Sequence, residues 1–502
     1  MAPEQKKIDV TLEEALSITG TGRYTMYVLL TVSLILFGGM LNIQGMSIIL
    51  PVAGCDLHLT SSEKGTLTSI TFAGMLLSGP FSGILSDAFG RVRISFMGQF
   101  FSVLLMLLNS FAPNTTSLMT INFINGFMLT GAITPVYVLV SEFCPIHFRA
   151  RALILCSTIA TLSNMYLPGM ALLIMPLNIE IPIFKILTFS SWRLFLLLST
   201  IPNLVALILL WRLPETPKFL LIQGHKERTL EVLKNMYAVN HKKREDEYPV
   251  LNVILDSIDR DYVGLKDDSS LVWRTVKQMI SGMTLLFNRK YIIYTIMSCV
   301  LLFTQIGTYN IYILWLPEQL SRMNQYIEIN GVYDETLCNM MMSTVNSGEN
   351  VDDCVLKYDF FSYGIILGIL QFSLGLLVSF FADRIGKKVI LVGCLYLASA
   401  MSFSLIFSNL QYLIIAALIS VAIMTSVSFP IIMTFIMDFY PTYVRSTASA
   451  VTMIFGRLGA SGGNQIMGLL YDNHCDKAFY GITAFLAATA TMCLFIRTKK
   501  NC

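Results

Sequence analysis

Twelve long apolar runs, separated by short polar breaks, constrain this chain more than any other feature. They lie near Tyr24–Leu50, Thr66–Leu85, Ile94–Phe111, Leu118–Val140, Ala152–Met175 and Arg193–Arg212. After a polar interval they resume near Tyr291–Trp315, Phe360–Ala382, Val389–Phe407, Gln411–Met437, Thr447–Leu470 and Phe479–Ile496. A helix needs about 20 such residues to cross the hydrocarbon of a bilayer, where its backbone polar groups must be bonded within the segment. The expected fold class is therefore an all-α membrane protein with twelve transmembrane helices. Composition agrees, with 54% hydrophobic and 13% charged residues, against about 25% charged in soluble chains. The net charge of +3 makes no case for nucleic acid. The ten cysteines include no CxxC and no His/Cys cluster, so no metal and no cofactor are expected.

Placing the N-terminus in the cytoplasm puts most of the 35 Lys and Arg residues on that side, as the positive-inside rule requires. The polar opening "MAPEQKKIDVTLEEAL" lacks the short apolar stretch of a cleavable signal. The expected divisions are a cytoplasmic segment over 1–23, a six-helix bundle over 24–212, a cytoplasmic central loop over 213–290, a second bundle over 291–496 with an outside loop over 317–359, and a cytoplasmic tail over 497–502. The sequon Asn114-Thr115-Thr116 falls outside, where a glycan can be added. Cys338 and Cys354 share the long outside loop. A bridge between them suits an oxidising compartment; the alternative is two free thiols. In the central loop, Leu230, Leu233, Met236 and Tyr237 follow a helical period, and "LVWRTVKQMI" reads as a second amphipathic helix. "TLEE", beginning at Thr11, has the form of a capping box.

The two halves share a grammar. "SGILSDAFGRVR" interrupts the apolar sequence between the second and third runs, and "FADRIGKK" does so between the eighth and ninth. Asp87 matches Asp383, Gly90 matches Gly386 and Arg91 matches Lys387, all at one constant offset. At the same offset, Glu142, Pro145 and Arg149 of "SEFCPIHFRAR" match Asp438, Pro441 and Arg445 of "MDFYPTYVRST". The chain thus reads as two pseudo-symmetric six-helix bundles, and internal repeats of this kind mark secondary transporters. Gly90 and Gly386 permit a tight turn. The acids and bases around them are expected to form a cytoplasmic gate made of Asp87, Gly90, Arg91, Glu142, Arg149, Asp383, Gly386, Lys387, Asp438 and Arg445. The alternative is that these charges only fix topology.

"GILSDAFGRVR", with its weaker copy, resembles the signature loop of the major facilitator superfamily. "PVYVLVSEFCPIHFRAR" is similar to the motif ending helix 4 in its sugar and organic-ion branches, and "LPETPKFLL" resembles the motif after helix 6 there. Within the superfamily the chain looks most like the synaptic vesicle glycoprotein and related-protein family, through "ITGTGRYTMYVLL", "LTSITFAGMLLSGPFSGILSD" and "YNIYILWLPEQL". Organic cation and anion transporters are near relatives, but they usually carry a large outside domain between helices 1 and 2, for which Pro51–Gly65 is too short. The resemblance implies the major facilitator fold, with helices 1, 4, 7 and 10 lining a central cavity.

Polar residues inside spans are the default functional candidates. Arg457, in "IFGRLGA", lies about ten residues into the eleventh span. Burying its charge costs at least about 2.5–3.5 kcal/mol, and no Asp or Glu is expected deep in any span to offset it. The reading is a substrate-binding arginine facing a water-filled cavity and an anionic or zwitterionic solute; the alternative is a structural arginine bonded to carbonyls. The resemblance adds that organic-anion carriers are associated with an arginine in this helix. Asn42 and Gln44, Asn125, Gln305, Tyr309 and Asn310, and Gln371 are further candidates, each with interhelical hydrogen bonding as its alternative role. Vesicle-family members carry acids midway along helix 1, where this chain has Gly39 and Asn42. With no titratable group expected inside the membrane, a facilitator or exchanger fits better than a proton symporter.

The function expected is transport of a small organic solute, an organic ion in this reading, by alternating access. The expected protein is a monomer in the lipid bilayer of the plasma membrane or an intracellular vesicle, with both termini cytoplasmic. The competing reading is a non-transporting receptor or scaffold that keeps the fold. Without a nucleotide loop, GxSxG or metal-ligand spacing, an enzyme is not expected.

Overall fold

The computed structural model describes residues 8–177, 179–183, 187–254, 284, 286–289, 291–331, 335–346, 361–440, 442–472 and 474–495; within the helices, the side chains of Asp383, Asp438 and Arg445 are among those outside the description. The chain is an all-α membrane protein of twelve spans. The first four are α2 (Arg23–Asp56), α3 (Ser61–Phe89), α4 (Arg91–Asn109) and α5 (Thr115–Phe143). The fifth is split into α6 (Ile146–Thr161) and α7 (Ser163–Ile174), and the sixth into α8 (Ser191–Ser199) and α9 (Ile201–Trp211). Pro202 stands in the first turn of α9, where a missing N–H costs nothing. The second half comprises α12 (Ile292–Asn330), α14 (Phe361–Ile385), α15 (Lys387–Phe407), α16 (Gln411–Phe439), α17 (Thr442–Leu470) and α18 (Cys475–Leu494). Eleven of these spans are long and apolar enough to cross a bilayer on composition alone. The twelfth, α17, has the length, at 29 residues, but carries Arg457 and many small polar residues.

Local chemistry sets the ends. Thr60 and Glu63 form a capping box at the start of α3, and the Asn114 side chain accepts from the Ser117 N–H at 2.8 Å to open α5. Gly90 and Gly386 adopt φ of +107° and +96°, in the region that favours glycine, so each turn falls where the repeated motif places it. Successive helices therefore run in opposite directions. One end of the bundle holds Arg91 and Glu142, and the other holds Lys64 and Asn114.

A small polar subdomain sits against the Arg91 end of the first half. Strand β1 (Ile8–Thr11) pairs in parallel with β4 (Val250–Ile254), and α1 (Leu12–Thr19) packs on α11 (Lys226–His241), which follows the short α10 (Pro217–Ile222). The capping box at Thr11 and Glu14 is present, as is the helix expected from Leu230 to Tyr237. The stretch "LVWRTVKQMI" lies outside the described residues. A hairpin of β2 (Glu180–Ile183) and β3 (Leu187–Ser190) closes the loop between α7 and α8.

Two corrections concern the loop expected over 317–359. Helix α12 does not stop at Trp315 but continues through Pro317 to Asn330, and a further helix, α13 (Leu337–Asn346), follows. Cys338 is bonded to Cys475, at the start of α18, with a Cα–Cα distance of 5.5 Å, and so not to Cys354, which lies outside the described residues. The sequence offered Cys354 because it shared a loop, whereas folding brings the α17–α18 turn to Cys338.

Candidate functional site

Three polar layers follow one another from the Arg91 end to the Lys64 end, and the second and third cross between the halves. At the Arg91 end, the Arg91 guanidinium lies 3.0 Å from Asp87 Oδ1 and 3.3 Å from Glu142 Oε2. Glu142 Oε2 also accepts from the Thr216 hydroxyl at 2.6 Å. Glu215 accepts from the backbone N–H groups of Val92 and Arg93 at 3.0 and 3.3 Å. It thereby satisfies donors that the start of α4 leaves open. A Cβ at Gly90 would come within 2.4 Å of the Glu215 carboxylate, so that glycine serves the contact as well as the turn. Arg149 does not join Glu142, as the sequence led us to expect; it pairs with Glu13 of α1 at 2.7 Å and donates to the Cys144 carbonyl at 3.0 Å. Among the described residues, the ion pairs at this end join the first half to itself or to the subdomain packed on it.

The middle layer crosses between the halves. Asn164 on α7 donates to Gln371 Oε1 on α14 at 2.5 Å and to the Tyr309 hydroxyl on α12 at 3.3 Å. Tyr309 is also in hydrogen-bonding reach of Gln44 on α2, and the Gln371 amide donates to Ser426 on α16. All five residues lie in the middle third of their spans. Beside them is a small cavity lined by Gln44, Ser47, Asn164, Ile313, Leu316 and Phe361. Gln305, one helical turn before Tyr309, is 1% exposed, and neither end of its amide has a partner among the described residues. Arg457 reaches from α17 to α3, where its Nη1 donates to the Met75 carbonyl at 2.9 Å. It is half-buried and has no acidic partner among the described residues.

Three candidates do not reach this layer. Asn42 and Asn125 bond each other and Ser102 of α4, at 2.7–3.3 Å, inside the first half. Asn310 donates back to its own helix, to the Ile306 carbonyl at 2.8 Å. Gln44, Tyr309 and Gln371 are brought together, and Gln305 lies one helical turn from Tyr309.

The third layer, at the Lys64 end, is one that sequence reasoning missed. Glu318 Oε1 receives Lys64 Nζ of α3 at 2.6 Å and Arg322 Nε at 2.8 Å. Arg322 also holds Asp472 Oδ1 at 2.9 Å and the Ser61 hydroxyl at 2.7 Å, and Ser61 donates to Asp472 at 2.7 Å. This lattice joins the halves. The carboxylate of Glu318 is 2% exposed inside a span, which corrects the expectation that no acid lies there. The available signals were the Glu318/Arg322 spacing of four residues, which places both on one helix face, and Lys64 alone at the head of α3. Pro317 and Leu320, neighbours of Glu318 in α12, line the cavity, whereas Glu318 itself turns from that helix to Lys64 of α3. Gly65 and Gly468 allow the close approach: a Cβ on Gly468 would lie 2.7 Å from the Gly65 Cα.

Two six-helix halves meeting along a polar seam define a membrane protein of the internal-repeat helix-bundle class. The chain belongs to the Major Facilitator Superfamily, whose family model matches residues 32–464 and 355–501. Among curated proteins it is 26% identical over 229 residues to the synaptic vesicle 2-related protein of Rattus norvegicus, covering 46% of this chain and 39% of that one. The match thus spans about two fifths of the length of that relative. It is 23% identical over 468 residues to organic cation/carnitine transporter 7 of Arabidopsis thaliana, covering 89% of this chain and 86% of that one. Among solved structures, the xylose transporter of E. coli in a partially occluded inward-open conformation superposes with a TM-score of 0.64 at 14% identity, covering 95% of this chain and 99% of that one; this likeness concerns the fold.

Proposed function

We propose that the protein carries a small organic solute across a membrane by alternating access, as a facilitator or exchanger. The observation that carries this reading is the hydrogen-bonded bridge of Asn164, Gln371 and Tyr309, which joins the halves beside a cavity in the middle of the bundle. Such a bridge must break when the halves part, and a solute with its own donors and acceptors replaces the lost bonds. Arg457 supplies an unneutralised cation on the same seam, which favours an anionic or zwitterionic solute. Glu318, though buried, is occupied by two cations, so it leaves the reading against proton coupling in place. The Arg91 end faces the cytoplasm in this proposal. The Lys/Arg distribution supports that orientation, as does a disulfide at the opposite end, which suits an oxidising compartment. There Asn114 is exposed and open to glycosylation.

The test is uptake by the purified chain in liposomes across a panel of organic anions, zwitterions and cations. Uptake of an anion or zwitterion is expected, falling about tenfold or more in Arg457→Ala and in Gln371→Ala. Uptake of cations alone overturns the role of Arg457. No uptake, with no thermal stabilisation of the solubilised protein by any member of the panel, overturns transport.

A further inference from the structure

The lattice at the Lys64 end is built on an unequal pair of surfaces. On one side stand Ser61 and Lys64, in the first turn of α3. On the other stand Glu318, Arg322 and Asp472, which reach the seam from α12 and the turn after α17. That second surface is backed by a brace. The Tyr471 ring packs on Trp315, 4.8 Å between centroids, and lies under the Arg322 guanidinium at 4.7 Å. Its hydroxyl meets Met341 Sδ of α13 at 3.1 Å. Three residues beyond Asp472, Cys475 is bonded to Cys338 at the head of α13, and both cysteines are buried.

We propose that the Cys338–Cys475 bond, acting through α13 and Tyr471, holds Arg322 and Asp472 as a preformed socket for Ser61 and Lys64, and so sets how readily the Lys64 end opens. The reasoning is one of preorganisation. A socket already fixed loses little freedom when α3 docks into it, so closure is favoured; a loosened socket must be ordered at each closure, and the balance moves toward the open end. The proposal rests on the alternating-access reading, since it assigns one of the two ends that reading requires to close in turn.

Amide hydrogen exchange of the full solubilised chain, read by mass spectrometry, tests it. The decisive segment is Gly65 to Phe72 of α3, which lies in the half that the disulfide does not touch. In Cys338→Ser/Cys475→Ser, exchange there is expected to rise about fivefold or more, the lower end of ordinary coupling between sites. Glu318→Gln is expected to produce the same rise with the disulfide intact. Wild-type protein reduced after folding gives the same comparison without a folding defect from the substitutions. A purely local role for the bond speeds exchange in α13 and α18 while Gly65 to Phe72 stays at the wild-type rate, and that result overturns the proposal. The readout needs no substrate, so a chain that fails to transport leaves it intact.

Discussion

At the scale of single residues, Arg91 and Glu142 are matched to each other, and the consequences are sharp. Removing the guanidinium with Arg91→Ala leaves Glu142, only 7% exposed, with the Thr216 hydroxyl and the charge of Lys218. Breaking a buried pair in this way costs about 3–5 kcal/mol, so the solubilised variant should melt well below the wild type. Asn240 has a different task. Its Oδ1 accepts from the N–H groups of Tyr24 and Thr25 at 3.0 and 3.3 Å, and its Nδ2 donates to the carbonyls of Thr19 and Gly20 at 3.1 and 3.2 Å. It caps the first span from the far side of the half. Asn240→Ala removes a cap and should cost about 1–2 kcal/mol, visible as a lower Tm. Cys144 joins α5 to α6, and burial pushes its thiol up to about 12; a thiolate is what maleimide attacks. Its peptide should therefore stay unlabelled at neutral pH in the folded protein and become labelled on denaturation.

At the scale of elements, the spans and the repeat were written in the sequence because hydrophobic length and a constant motif offset need no knowledge of neighbours. The capping box at Thr11 and the helix around Leu233 were legible for the same reason. Where a span stopped, or which way a side chain faced, was not. The apolar run of the seventh span ends near Trp315, yet the helix continues to Asn330, and Lys64, from another element, meets the acid that follows. The helices that carry Asn42 and Asn125 point to the cavity, yet both side chains face Ser102 inside the half. Helix membership does not fix azimuth when the whole surface is apolar enough for lipid. Contacts between elements can still be probed singly. Gly468→Val places a branched side chain where a Cβ alone would sit 2.7 Å from the Gly65 Cα, and overpacking of this kind costs about 1–3 kcal/mol. It should push α17 from α3 and speed amide exchange at the head of α3.

For the whole molecule, the ion pairs divide unequally between the ends. Among the described residues, those at the Arg91 end tie the first half to itself and to its subdomain, while the lattice at the Lys64 end ties one half to the other. The described state is therefore closed at the Lys64 end. Weakening the lattice with Lys64→Met should shift the population toward the opposite state, read as faster exchange at the head of α3 and slower exchange around the Arg91 turn as that end closes. The Asn240 clamp also bears on how the protein is made. The residue that caps the first span lies 216 positions further along the chain than Tyr24. The ribosome thus delivers six spans and part of the following segment before the first can be finished at its polar end. Biogenesis of the leading half is complete only once that asparagine has emerged, which makes the half, with its subdomain, the natural unit of insertion and quality control.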